Sequence, residues 1–201
     1  PALLQVLLDE WGIRPDTVAK YKLGYVDDGH SPMLTIPHII DDIVYNVKSR
    51  SWFGYPKTFF RVKDASSVLL NEEKLRAPFP KRALLTEGEK DGIVADDCGV
   101  IADGLVDVII GMTGGAGTLL ERWYTLLESV EVLYVAYDGD GAGESGMDTI
   151  IRRLGAHRIR VVEMPKGMDV ADVVKKFGAD ELKRRIREAK EPKIRSWLSH
   201  A

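Results

Sequence analysis

The chain has 201 residues, 45% hydrophobic and 29% charged, with a formal net charge of −3. That mix suffices to bury a core, and no apolar run approaches the ~20 residues a membrane span needs. The N-terminus lacks the basic-then-apolar pattern of a signal peptide, and the single cysteine, Cys98, excludes an internal disulfide and any cysteine-cluster zinc site. The expectation is a cytoplasmic protein with no zinc and no membrane contact. Net acidity weighs against a uniformly basic surface for nucleic acid, so the distribution of charge matters more than its total. The chain opens on Pro1 rather than Met, as a fragment of something longer would.

Residues 1–25 read as helical. Leu3, Leu4, Leu7 and Leu8 share one helix face, Gly12 ends that helix, and Pro15-Asp16 starts a second that Gly24 stops. Met33 to Pro37 and Ile43 to Lys48 read as strands around a turn at Asp41-Asp42. Residues 49–82, punctuated by Gly54, Pro56, Pro78 and Pro80, read as irregular. The texture then changes to short apolar strands alternating with helices. Strands are predicted at 83–86, 100–102, 108–110, 132–137 and 159–162. Helices are predicted at 89–97, 117–128, 142–154 and, basic towards its end, 169–190. Continuous apolar strands alternating with helices predict a mainly parallel sheet with helices on both faces. The fold class is therefore α/β, with a small α+β subdomain over 1–80 preceding the α/β domain at 81–201.

In such sheets ligands gather beyond the carboxyl ends of the strands. Glu87 and Glu89, with Asp91 close behind, follow the first of these strands. Asp138 and Asp140 follow the strand at 132–137 in the run Tyr137-Asp138-Gly139-Asp140-Gly141-Ala142-Gly143. Asp169 follows the last strand through Pro165-Lys166-Gly167-Met168. Any one cluster alone reads as an ordinary turn or a helix cap. Three at successive strand ends repel one another unless a cation joins them. Hard carboxylate oxygens of this kind suit Mg²⁺ or Mn²⁺, and two such ions serve in-line phosphoryl transfer.

These runs resemble a known family. Leu84-Leu85-Thr86-Glu87-Gly88-Glu89-Lys90-Asp91 resembles the glutamate motif of the TOPRIM domain, a Rossmann-like fold, and Asp138-Gly139-Asp140 resembles its Asp-x-Asp motif in the form found in DnaG-type primases. Pro165 to Asp169 resembles the later acidic loop of those primases. Gly114-Gly115-Ala116-Gly117 resembles a glycine stretch of phage primase-helicases. TOPRIM also occurs in topoisomerases and nucleases, so the N-terminal part discriminates. Ile13 to Tyr25, Leu34 to Pro37 and Val47 to Arg50 are similar to the opening of the primase polymerase core, in the style of phage, plasmid and other mobile-element proteins.

The resemblance implies a catalytic set of Glu87, Asp138 and Asp140. It implies two or more Mg²⁺ or Mn²⁺ ions on Glu87, Asp138, Asp140 and Asp169, and basic residues Lys48 and Arg50 that handle the triphosphate or template. Its implied partners are a single-stranded DNA template and nucleoside triphosphates, with a replicative helicase or zinc-binding module on another chain or on a missing part of this one. Lys166 departs from the pattern, because primases often carry an acid there, and this weakens a second metal site.

Residues 48–63 add Lys57, Arg61 and Lys63 to Lys48 and Arg50, interleaved with Trp52, Phe53, Tyr55, Phe59 and Phe60 and no acid. Basic groups track phosphates while aromatic faces stack on bases. The same aromatics also suit a subdomain core, and both readings stand at this point. The basic run from Lys183 to Arg187 reads as a solvated helix face, and the four histidines have no metal-ligand spacing. Template-directed primer synthesis is the expected function. A TOPRIM nuclease and a non-catalytic nucleic-acid-binding replication module are the alternatives.

Overall fold

The computed structural model describes residues 2–27, 32–52, 58–76, 78–115 and 119–192. Two short helices, α1 (Ala2–Trp11) and α2 (Pro15–Lys20), precede an antiparallel sheet of β1 (Gly24–Val26), β2 (Met33–Ile40), β3 (Ile43–Ser51) and β4 (Phe59–Arg61) in sequential order. Strand β2 alternates half-buried and buried residues along its length, the pattern of a sheet with one covered face. Leu34, Ile36, His38 and Ile40 point inward. Arg50 and Lys48 lie opposite Leu34 and Ile36 and share that inner face, and Phe59 and Arg61 of β4 pair with them in turn.

The second sheet is parallel, in the order β6 (Val108–Gly111), β5 (Arg82–Thr86), β7 (Val132–Ala136), β8 (Ile159–Val161). Its residues alternate between two cores. Ala83, Leu85, Val108 and Ile110 pack with Trp123, Tyr124 and Leu127 of α4 (Glu121–Leu127) and with Ile150 and Leu154 of α5 (Gly141–Leu154). Leu84 and Ile109 face the other way, onto Ala95 of α3 (Glu89–Asp97), Val170 of α6 (Val170–Phe177) and Leu182 and Ile186 of α7 (Ala179–Arg187). Helices thus cover both faces, as the continuous apolar strands predict.

Helix α3 joins the two halves. Its Ile93 and Val94 pack with Leu7, Trp11, Ile13, Val18, Leu34 and Ile36 of the N-terminal part. Its C-terminal end carries Asp96 and Asp97, whose charges oppose the helix dipole. Lys20 and Tyr21 bind Asp96, while Thr17 and the Arg14 backbone N–H, the latter at 3.0 Å, bind Asp97. Residues 68–75 precede the parallel sheet in sequence but pack into it. Leu69 and Leu75 sit in the same core as Ala83 and Leu85, and the Leu70 N–H donates to the Gly111 carbonyl at 3.0 Å.

The structure corrects several expected elements. Val100 to Ala102 is a turn, not a strand, bracketed by Gly99 and Gly104 at φ 79° and 67°. Its backbone coils, with the Leu105 N–H donating to the Val100 carbonyl at 3.1 Å, so Val100 is buried without strand pairing while Ala102 is exposed. Residues 49–82 are not wholly irregular, since β3 runs on to Ser51 and β4 follows. Gly24 opens β1, with Thr35 Oγ1 2.6 Å from where a Cβ would stand, so a larger residue there would require the Thr35 hydroxyl to turn away. The helix predicted over 169–190 is two helices, broken at Gly178 with φ 89°. Residues 116–118, in the glycine stretch and at the start of a predicted helix, lie outside the described residues.

Candidate catalytic site

Thr86 of β5 and Ala136 of β7 are paired in register. The chain segments that follow them, carrying Glu87 and Asp138, therefore leave the sheet side by side. The Asp138 backbone N–H donates to Glu87 Oε2 at 3.2 Å, fixing that side chain across the gap. Asp140 is the N-cap of α5, its carboxylate accepting from the Gly143 N–H at 2.8 Å. Asp169 caps α6 in the same manner, accepting from the Asp172 N–H at 2.7 Å while Asp172 returns the bond. The loops of Asp138 and Asp169 are tied backbone to backbone, with the Gly139 N–H donating to the Met168 carbonyl (3.2 Å) and the Gly167 N–H to the Gly139 carbonyl (2.9 Å). Two glycines make this closeness possible. A Cβ on Gly139 would lie 2.3 Å from the Pro165 carbonyl oxygen, and one on Gly143 would lie 2.2 Å from that of Asp138.

The four predicted acids, Glu87, Asp138, Asp140 and Asp169, thus share one rim. Burial pushes the Asp138 carboxyl up to about 6, and the charges of Glu87, Asp169 and Asp140 push in the same direction. Asp91, buried one turn into α3, is pushed up to about 7 by burial, while nearby Lys90 acts against the shift. Among the described residues, no three of His, Cys, Asp and Glu converge into a group that could hold a metal ion. The donor set fits a hard cation nonetheless. Mg²⁺ is typically held by one or two carboxylates, several waters and substrate phosphates rather than by a full protein cage, and burial together with the neighbouring acids has already raised Asp138.

Three residues given no role by the sequence argument join this region. Glu89 is buried beside Glu87, and it accepts from Lys48 Nζ at 2.7 Å and from His38 Nε2 at 3.1 Å. Burial alone would raise its pKa, but the His38 hydrogen bond and the Lys48 charge outweigh burial and hold the carboxyl below its ordinary value. The inward alternation of Leu34, Ile36, His38 and Ile40 is the signal that would have placed His38 there. Lys90 binds Asp169 and lies 3.9 Å from Asp91.

The basic candidates divide. Lys48 is committed to Glu89 and to the Thr113 carbonyl at 3.3 Å, with the Phe59 ring centroid 4.8 Å away. The guanidinium of Arg50 is half-buried, 5.7 Å from the Trp11 ring centroid, and burial lowers its pKa. Arg61 is exposed on β4 next to Lys48. Of the flanking aromatics, Tyr25 and Trp52 meet edge to face at 4.7 Å. Lys57, Phe53 and Tyr55 lie outside the described residues.

Residues 84–174 match the family described as Toprim-like. A 99-residue stretch is 29% identical to the DNA primase of Halalkalibacterium halodurans, and the match covers 43% of this chain but 16% of that protein. The structure superposes on that of the Aquifex aeolicus primase, solved with its zinc-binding and RNA polymerase domains. That match has a TM-score of 0.70 and 20% identity, covering 94% of this chain and 56% of that one. It also superposes on the primase fragment of the bacteriophage T7 primase-helicase, with a TM-score of 0.72 and 18% identity over 89% of this chain and 72% of that one. The Toprim-like match thus falls on the parallel sheet and its helices. With the antiparallel subdomain in front of it, the chain has the fold of the DnaG-type primase catalytic core.

Proposed function

We propose that this chain is the polymerase core of a primase, which synthesises primers on a single-stranded DNA template by metal-dependent nucleotidyl transfer. One observation carries the reading. The acidic rim of the parallel sheet meets the basic, aromatic inner face of the antiparallel sheet at the Lys48–Glu89 contact. A triphosphate needs both sides of that junction, carboxylates to hold its counter-ion and basic groups to receive its phosphates and the template.

Glu87, Asp138 and Asp140 would hold Mg²⁺ or Mn²⁺, which when bound supplies charge neutralisation on the phosphates and polarises the phosphorus under attack. Glu87 is positioned by the Asp138 N–H, to serve as ligand or to take the proton of the attacking 3′-hydroxyl. That hydroxyl attacks the α-phosphate, one P–O bond forms, another breaks, and pyrophosphate leaves. Arg61 extends the basic face along the template path, and Lys57 is assigned to template binding on its sequence alone. Lys48 acts here mainly by holding Glu89 and the junction in place. In the same reading the polymerase part divides near residue 80. Strand separation and template selection are supplied by a helicase or zinc-binding module, and the source is a phage or other mobile element.

The test is primer synthesis on single-stranded DNA with nucleoside triphosphates and Mg²⁺ or Mn²⁺, with and without a helicase partner. Metal-dependent dinucleotide formation is expected, reduced by ~100-fold or more in Asp138→Asn and Asp140→Asn. Metal-dependent cleavage of nucleic acid with no synthesis under any condition would overturn the proposal.

A further inference from the structure

We infer that Lys90 is a built-in cation that takes the place of one divalent ion at the acidic rim, leaving a single-ion site at Glu87, Asp138 and Asp140. The inference rests on the metal-binding part of the proposed function and sets the number of ions.

Lys90 is the second residue of α3, in the first turn, where the helix dipole disfavours a positive charge. Its side chain is 26% exposed, so the ammonium is also largely removed from water. Both effects work against a lysine here, and the compensation lies across the rim. The ammonium binds Asp169 Oδ2 and lies 3.9 Å from Asp91 Oδ1.

Of the acids that Lys90 touches, Asp169 has both carboxylate oxygens engaged and Asp91 has one. Asp169 Oδ1 accepts from the Asp172 N–H at 2.7 Å, and Asp91 Oδ1 accepts from the Ala171 N–H at 3.2 Å. Asp169 is therefore engaged at both oxygens, by a lysine on one and a helix cap on the other. A second dication between Asp91 and Asp169 would have to expel the ammonium and then sit beside it. Lys166, exposed on the loop bridged to Gly139, adds positive charge on the same flank. Among the described residues, no lysine or arginine forms an ion pair with Glu87, Asp138 or Asp140. The rim is thus divided into a neutralised half at Asp91 and Asp169 and an un-neutralised half at Glu87, Asp138 and Asp140.

Mn²⁺ titration of the full chain, followed by electron paramagnetic resonance, counts the ions directly and needs no catalysis. Wild type is expected to bind one Mn²⁺ per chain, and Lys90→Arg, which keeps the charge, is expected to do the same. Lys90→Met and Lys90→Gln should bind a second ion at least ~10-fold more tightly than wild type does, with dipolar broadening between the two. Adding Asp169→Asn to either should remove the second ion and spare the first. Two ions in wild type would overturn the inference while leaving the metal-binding reading intact. So would a folded Lys90→Met and a folded Lys90→Gln that both stop at one ion. A wild type that binds no Mn²⁺ overturns the metal-binding reading and this inference together.

Discussion

The two sheets of this molecule use their residues in opposite ways. In the parallel sheet, β5 and β6 are almost wholly buried, and helices cover both faces. A side chain in mid-strand has nowhere to act, so chemistry is confined to the segments that leave the carboxyl ends. In the antiparallel sheet β2 alternates, and polar side chains stand within the strands on the inner face, as Lys48 and Arg50 do on β3 beside Leu34 and Ile36. The site forms where the end of one sheet meets the face of the other, and Glu89 is the residue shared by both.

That junction is where the largest effect is expected. Glu89→Ala would leave the Lys48 ammonium and the buried His38 ring without their common partner, at a cost of ~3–5 kcal/mol. Urea denaturation measures it. Replacing both charges, as Glu89→Leu with Lys48→Met, should recover part of the loss, because an apolar pair of similar volume leaves fewer unpaired groups. If Glu89→Ala costs under ~1 kcal/mol, the junction is not what holds the two sheets together.

The next effect concerns strand ends. Gly143→Ala would drive a methyl into the Asp138 carbonyl, 2.2 Å from where the Cβ must sit, and Gly139→Ala would do the same at Pro165. Each should cost ~1–3 kcal/mol. Each should also reduce primer synthesis by ~100-fold, because the acids move with the loop. Gly141→Ala, two residues from each and with open space around its Cβ position, is the control and should stay within ~0.5 kcal/mol of wild type.

What was legible in the sequence follows the same division. The acidic rim could be read because strand ends in a parallel sheet are announced by an apolar run stopping at Asp-Gly or Glu-Gly, as at Thr86-Glu87-Gly88. Helices α3 and α5 were placed within a residue for the same reason. The junction was not legible. His38 and Glu89 are 51 residues apart, and nothing local tells a buried carboxylate from an exposed one. Lys48 was visible as a basic residue, but its commitment to Glu89 depends on which face of β3 turns inward. The failed strand at 100–102 shows the limit of apolar runs as a signal, since a turn after a helix that buries one valine carries the same composition. Short β1 and β4 were missed because three residues give too little alternation to count.

A smaller effect separates function from stability at the rim. The Asp138 carboxyl is raised to about 6 by burial and by its neighbouring acids. An acid whose pKa is higher in the folded than in the unfolded state destabilises the fold as pH rises between the two values. Without metal, the chain should therefore lose stability from pH 4 towards pH 7 at this group, by roughly 1 kcal/mol once solvent screening of a half-exposed carboxyl is counted. Asp138→Asn should remove that loss and raise the thermal midpoint of the metal-free chain at pH 7, while abolishing synthesis. Millimolar Mg²⁺ should stabilise wild type more than the variant. A variant less stable than wild type at pH 7 without metal would show that Asp138 is satisfied by its surroundings rather than strained by them.

The finest test of the comparison lies in two adjacent residues of β4. Phe59 and Phe60 are 48% and 53% exposed, but they face opposite sides of the antiparallel sheet. Phe59 pairs with Arg50 on the inner face, with the Lys48 ammonium over its ring, and Phe60 pairs with Ser49 on the outer face. Threonine suits an edge strand as well as phenylalanine does, so Phe59→Thr and Phe60→Thr should each change stability by only ~0.5 kcal/mol. Single-strand affinity should separate them. If the inner face carries the template, losing the Phe59 ring removes a stacking surface worth ~1–3 kcal/mol of binding, whereas Phe60→Thr leaves affinity unchanged. Equal losses in both would mean that β4 contacts nucleic acid along its edge, and that the inner face of this sheet is not the surface that receives the strand.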